Sequence, residues 1–241
     1  MMKDYKKAVE KKIQAFFSMF GLYVSRSAGG VHDRRWLRHM GIRTVIDIGA
    51  SKGRFSYEFH RIFPHAQIYA FEPLPDCFAL MQERMKDVPR FHAFNIALGD
   101  TPGTVTMQRS SYSGSSSLRQ MADLHKNLFP ITAGQKPLVV AVDTLDHALS
   151  GYDLEEDIMV KMDVQGFEDK VLAGAVQTLQ RVKLIIIEMS FKELYIGQPL
   201  FGDIYRLLTE QGFAYQGAWD PDFRSPQDGS SLQQDAVFIR A

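Results

Sequence analysis

Between Thr44 and Ile239 short apolar runs alternate with amphipathic stretches. Thr44–Ile48, Gln67–Phe71, Phe91–Ala97, Ile158–Val164 and Leu184–Met189 are nearly continuous apolar runs of strand length. Gly53–Phe63 and Asp76–Lys86 carry apolar residues at helical spacing, the second entered through Pro73 and Pro75. Val171, Leu172, Ala175 and Leu179 mark a further helix, and Phe201–Gln211, stopped by Gly212, another. Phe213–Gly217 and Ala236–Ile239 read as closing strands. Continuous apolar strands separated by helices predict a mostly parallel sheet, because crossover helices cover both of its faces. The expectation is an α/β fold with seven strands and helices on both sides.

Two segments stand outside this rhythm. Val9, Ile13, Phe16, Phe17 and Phe20 recur at helical spacing while Lys3, Lys6, Lys7, Lys11 and Lys12 take other positions, which predicts an amphipathic helix over Lys3–Phe20. Such a helix serves as a cap on the main body, or as a basic face for a partner or an anionic membrane. A second helix is expected over Asp33–Met40, stopped by Gly41. The division is then an N-terminal helical segment, 1–40, and an α/β domain, 41–241. Asp100–Gly134 also breaks the pattern, with a turn at Thr101-Pro102-Gly103, an edge strand over Thr104–Met107 and a polar stretch over Ser110–Ser117.

At 241 residues the chain is long enough for one well-buried α/β domain. Lys+Arg and Asp+Glu balance at 28 each, which argues against a dedicated nucleic-acid binder, since phosphate contacts need a basic excess. The single cysteine, Cys77, has no internal disulfide partner and reads as a buried helix residue. No Cys/His spacing or carboxylate–histidine group predicts a metal site. No apolar run approaches a membrane span and no signal peptide is evident, so the cytoplasm is the expected location.

In open α/β sheets ligands bind beyond the carboxyl ends of the strands. The first strand runs into Asp47-Ile48-Gly49-Ala50-Ser51-Lys52-Gly53, where glycines permit a tight turn and close backbone approach to a ligand. The second ends at Phe71-Glu72-Pro73, and Glu72 is placed to accept hydrogen bonds from both hydroxyls of a ribose. The third leads into Asn95-Ile96-Ala97, whose amide is placed near an adenine. A dinucleotide fingerprint would need glycines at 49, 51 and 54, but Ser51 and Arg54 occupy the last two. The pattern acid-x-G-x-G-x-G fits Asp47, Gly49 and Gly53 and departs only at Ser51. A carboxylate beside this turn suits a cationic nucleoside better than a pyrophosphate.

VIDIGASKGRFS at 45–56, FEP at 71–73, NIALGD at 95–100, VDTLD at 142–146, KMDVQGFEDKVLAGA at 161–175 and IIEMS at 186–190 together resemble the FkbM family of methyltransferases. The resemblance implies a Rossmann-like methyltransferase fold, S-adenosyl-L-methionine as cofactor, and O-methylation of a hydroxyl on a sugar or natural product. It implies cofactor contacts from Asp47, Gly49, Ala50, Ser51, Gly53, Glu72, Pro73, Asn95 and Ala97. Ser115, Ser116 and Ser117 resemble the family's small-residue stretch near the cofactor; a surface loop is the other reading. Gln165 departs from the family's usual glutamate.

Methyl transfer to a hydroxyl requires alignment and, for the acceptor, loss of a proton. Asp163 and Gln165 are the catalytic candidates. Asp163 is placed to act as base or to hold the cofactor's amino group, and Gln165 to hydrogen-bond an acceptor hydroxyl. Glu168 is either a helix N-terminal carboxylate or a second base, and Glu188 ends the next strand. Asp143 and Asp146 read as helix caps. Two other readings stay open: a nucleoside-binding module without catalysis, which Gln165 favours, and a nicotinamide-dependent oxidoreductase.

Overall fold

The computed structural model describes residues 34–220 and 222–241. The helix expected over Lys3–Phe20 lies outside the described residues. Arg34–Met40 forms a 3-10 helix; its Leu37 is fully buried, and Trp36 meets Trp219 edge to face with centroids 6.4 Å apart.

The strands in chain order are β1 (Thr44–Ile48), β2 (Gln67–Phe71), β3 (Phe91–Phe94), β4 (Ala97–Leu98), β5 (Gly103–Ser110), β6 (Gln135–Asp143), β7 (Ile158–Met162), β8 (Val182–Ser190), β9 (Phe213–Ala218), β10 (Phe223–Arg224) and β11 (Ser231–Arg240). The main sheet runs β10-β11-β8-β7-β1-β2-β3, with β9 also on β11. β3, β2, β1, β7 and β8 are mutually parallel, whereas β11 is antiparallel to β8. Every residue of β1 and of β7 is buried, as expected of central strands sandwiched between layers. Two large apolar clusters lie on either side, one around Ile46, Ile48 and Met162, the other around Val45, Ile68 and Met159.

The strand count differs from the expected seven: the main sheet has eight strands among the described residues. β10 is two residues long and too short to show a period. A separate sheet, β4-β6-β5, is built from the stretch that breaks the sequence rhythm. The pattern predicts no element over β6, since Pro137 interrupts it and most of its residues are exposed or half-buried. Pro137 is tolerated because only β5 pairs with it; β4 pairs with β6 at Val142 and Asp143 alone. The strand expected over Phe91–Ala97 is broken at Asn95-Ile96, so that β3 stays in the main sheet and β4 joins the small one.

The helices Arg54–Ile62 and Pro75–Met85 match their sequence patterns closely, and Cys77 is buried in the second. Glu168–Ala173 and Val176–Arg181 divide what reads as a single helix. Asp146 accepts from the amides of Gln177 and Thr178, both at 2.8 Å, and so caps the second piece.

The sheet brings the ends of β1 and β7 so close that a side chain at Gly49 would collide with the Asp163 carbonyl oxygen; Gly49 also sits at φ 77°. Gly49→Ala is therefore expected to cost about 3 kcal/mol or more, while Gly151→Ala, whose new methyl meets nothing within 4 Å, stays within about 0.5 kcal/mol. Chemical denaturation of both variants checks this; equal stability would contradict the close approach.

Candidate active site

The turn after β1 supplies one wall of a cavity that, with the solvent-open space at its mouth, measures about 670 Å³. Gly49 and Ser51 line it, joined by Glu72 and Pro73 after β2, Ala97 of β4, and Asp163 and Gln165 after β7. Ile48, Phe71, Ile96, Leu98 and Phe167 provide apolar surface, and Ser113, Gly114 and Ser116 close one side. The Ser110–Ser117 stretch is divided: Ser111, Tyr112 and Gly114 are exposed, whereas Ser115, Ser116 and Ser117 are buried. Ser110 Oγ donates to the Thr132 carbonyl at 2.7 Å and Ser116 Oγ accepts from the Ser110 amide at 3.0 Å.

Four residues expected around the cofactor stand off this wall. Ala50 is 4 % exposed and joins the apolar core. Gly53 abuts Met81, so its lack of a side chain serves helix packing. Asn95 donates through Nδ2 to the carbonyls of Glu72 and Pro73, at 2.8 and 3.1 Å, bracing the turn that carries Glu72. Asp47 is fully buried; Oδ2 accepts from Ser56 Oγ at 2.5 Å and Oδ1 has no partner.

Glu72 receives the Ser51 amide on Oε2 and the Leu74 amide on Oε1, each at 2.8 Å. Ser51 makes this bond from the left-handed region, φ 50°, which locks the turn to the carboxylate. Burial pushes Glu72 up to about 7 against the lowering effect of those two amides.

Across the cavity, Lys161 lies buried on β7 with its Nζ 2.9 Å from Asp163 Oδ2. Burial disfavours its charge, but Asp163, Asp235 and Asp47 outweigh burial and raise its pKa. Asp163 is half-buried; burial works to raise it, while Lys161 and a hydrogen bond from Gln165 hold it below the usual carboxylate range. The Gln165 amide has a determined orientation. Asp163 Oδ1 at 2.7 Å and Glu188 Oε2 at 2.8 Å are both carboxylate acceptors, so the donor Nε2 faces them and Oε1 faces the Tyr195 hydroxyl at 2.7 Å. An amide can donate to both acids at once; a glutamate would place a third carboxylate among them.

Gln165 and Gly166 both have positive φ, 57° and 91°. The turn is held by Ser117 Oγ donating to the Gln165 carbonyl and Arg119 Nε to the Gly166 carbonyl, each at 2.6 Å. Glu168 Oε1 accepts the amides of Val164 and Gly166, at 3.1 and 3.2 Å. Burial pushes Glu168 up to about 7, despite these amides. Lys161, Tyr195 and Arg119 were not among the sequence candidates. Lys161 alone carried a local signal, as a charge inside an apolar strand.

A family model, the methyltransferase FkbM domain, matches residues 47–215. The chain belongs to the FkbM methyltransferase family. A curated relative, "2-O-methyltransferase NoeI" of Sinorhizobium fredii, is 33% identical over 161 residues, covering 64% of this chain and 66% of that protein. Among solved structures, a precorrin-6y C5,15-methyltransferase from Geobacter metallireducens is 9% identical, covers 91% of this FkbM chain and 94% of its own, and has a TM-score of 0.45. An rRNA methylase from Streptococcus thermophilus is 10% identical, covers 90% and 99%, and has a TM-score of 0.46. Among the described residues of this FkbM protein, no helix is long and apolar enough to cross a membrane, and no group of three His, Cys, Asp or Glu residues is arranged to hold a metal ion.

Glu168 gives this site a pH signature. A carboxyl raised from 4.5 to about 7 on folding stabilises below the lower value, and that stability is lost as pH rises through the upper one. Glu168→Gln keeps an acceptor oxygen for the two amides and removes the titration. Its melting temperature is expected to fall less than wild type between pH about 5 and 8. Parallel slopes in thermal melts would contradict the buried-acid assignment.

Proposed function

We propose that this chain transfers the methyl group of S-adenosyl-L-methionine to a hydroxyl of a sugar-like small molecule. The observation that carries the reading is the placement of Glu72 and Asp163 on the wall of one cavity. The donor set fits the cofactor. Each Glu72 oxygen holds one backbone amide, leaving a lone pair on each for a ribose diol. Pro73, Ala97, Ile96, Leu98 and Phe167 offer the apolar surface that a purine needs. Asp47, Asp163, Asp235, Glu168 and Glu188 surround Lys161 or its partners, an acid excess that suits a ligand bearing positive charge.

The bound cofactor supplies a methyl carbon already activated on a sulfonium. The chain's own task is then to hold and to align. Asp163, kept anionic by Lys161, is a weak base and a good anchor for an ammonium, so the binding role is the one we assign to it. Gln165 fixes the orientation of Asp163 and presents its neutral amide at the wall. Gly49 and Ser51 bring the backbone up to the ligand without a large side chain between. Asn95 holds the Glu72-Pro73 turn in place. The name of the relative, a 2-O-methyltransferase, supports a hydroxyl acceptor.

Glu72→Ala is expected to weaken S-adenosylhomocysteine binding by about 1.5–3 kcal/mol, the range for hydrogen bonds to a charged group. Calorimetry beside thermal melting tests this. An unchanged dissociation constant in a normally melting variant would remove Glu72 from the ribose.

A further inference from the structure

We infer that Glu188 is the group that takes the proton of the acceptor hydroxyl, through its Oε1. This rests on the methyl-transfer reading above and deepens it. Asp163 and Glu188 stand one residue beyond the paired Met162 and Ile187, at the same edge of the parallel strands β7 and β8. Both are half-buried, but their oxygens are employed differently. Asp163 has both oxygens engaged, Oδ2 by Lys161 and Oδ1 by Gln165. Glu188 has one oxygen pinned from two sides: Oε2 accepts from Gln165 Nε2 and from Gln233 Nε2, each at 2.8 Å. Its Oε1 has no hydrogen-bond partner among the described residues, and the residue as a whole is partly exposed.

The carboxylate is therefore held in one orientation with a free basic atom, next to an amide that lines the cofactor cavity. That is the arrangement a proton acceptor needs: a fixed position, one oxygen unused by the described residues, and a partly exposed side chain from which the proton can afterwards pass to water.

The groups facing Glu188 agree with this role. Burial raises its pKa first, and the charges of Asp163 at the end of β7, Asp235 opposite it on β11 and Glu168 on its helix raise it further; Lys161 opposes them. Tyr195 stands behind Gln165 with its own pKa raised by burial and by Glu188. A raised carboxyl is a stronger base than Asp163 once ionised, so the rate of methyl transfer rises with pH as Glu188 loses its proton. In the step itself the acceptor O–H proton moves to Glu188 Oε1 and is later lost to water. The acceptor oxygen's electron pair forms the new O–C bond, and the pair of the broken C–S bond stays on sulfur, leaving a neutral thioether.

The test uses the full chain, S-adenosyl-L-methionine, and methyl glucoside, methyl galactoside and methyl rhamnoside as acceptor probes, with S-adenosylhomocysteine calorimetry alongside. The expected result is transfer by wild type that rises with pH. Glu188→Gln, which keeps an oxygen for the two amides, is expected to fall by about 10²-fold or more and to lose the pH limb. S-adenosylhomocysteine affinity should stay within about 3-fold, a difference well under 1.4 kcal/mol. Glu188→Asp is expected to retain the pH limb at a reduced rate, which separates the loss of a base from a loss of folding. If wild type transfers and Glu188→Gln keeps its rate and pH profile, this inference is overturned and the methyl-transfer reading stands. If the protein binds S-adenosylhomocysteine but methylates none of the glycosides, the sugar-acceptor reading fails and the inference falls with it. Failure to bind S-adenosylhomocysteine at all overturns both through the cofactor.

Discussion

Lys161 in the middle of the sheet is the interaction on which the site depends. A fully buried ammonium is costly unless it is paired, and the payment here comes from Asp163 at 2.9 Å with Asp47 and Asp235 nearby. The pairing keeps Asp163 anionic at a place where burial alone would neutralise it. It also fixes Asp163 Oδ2, so that Oδ1 is left for Gln165, and Gln165 in turn reaches Glu188. A chain of hydrogen bonds thus runs from a core strand to the half-buried Glu188 carboxyl. Removing the lysine would leave a cluster of buried acids whose only recourse is protonation.

The acids around this edge divide by environment rather than by type. Asp163 is held low by a cation, whereas Glu72, Glu168 and Glu188 are raised by burial, the first two to about 7. The raised acids are braced by neutral donors: backbone amides for Glu72 and Glu168, side-chain amides for Glu188. Neutral donors orient a carboxyl without supplying the charge that would ionise it. The edge as a whole therefore has negative charge in reserve, and a cationic ligand completes it.

Much of this was legible locally. The parallel strands β1, β2, β7 and β8 show as apolar runs, and Gly49, Ser51, Glu72, Pro73, Ala97, Asp163 and Gln165 follow from asking what comes after each run. What was not legible depends on distant pairings. The break at Asn95 follows from its bonds to the carbonyls of Glu72 and Pro73, which no local period reports. Asp47 reads as a ligand carboxylate from its motif, yet a fully buried strand position turns it toward Ser56 and the Lys161 charge. Gln165 reads as a departure from a family pattern until Asp163 and Glu188, the second 23 residues away, are seen to share its Nε2. β6 escapes because a strand in a small, exposed sheet needs neither a continuous apolar run nor a proline-free one.

The central claim is that this acid edge is short of positive charge and takes it from the cofactor. Proton linkage tests that most directly, because a cation that settles among half-protonated carboxyls must displace protons from them. Calorimetry of S-adenosyl-L-methionine binding at about pH 6.5, repeated in buffers of different ionisation enthalpy, measures the protons exchanged. The account predicts a net release of protons on binding. Binding with no proton exchange, or with net uptake, would contradict it.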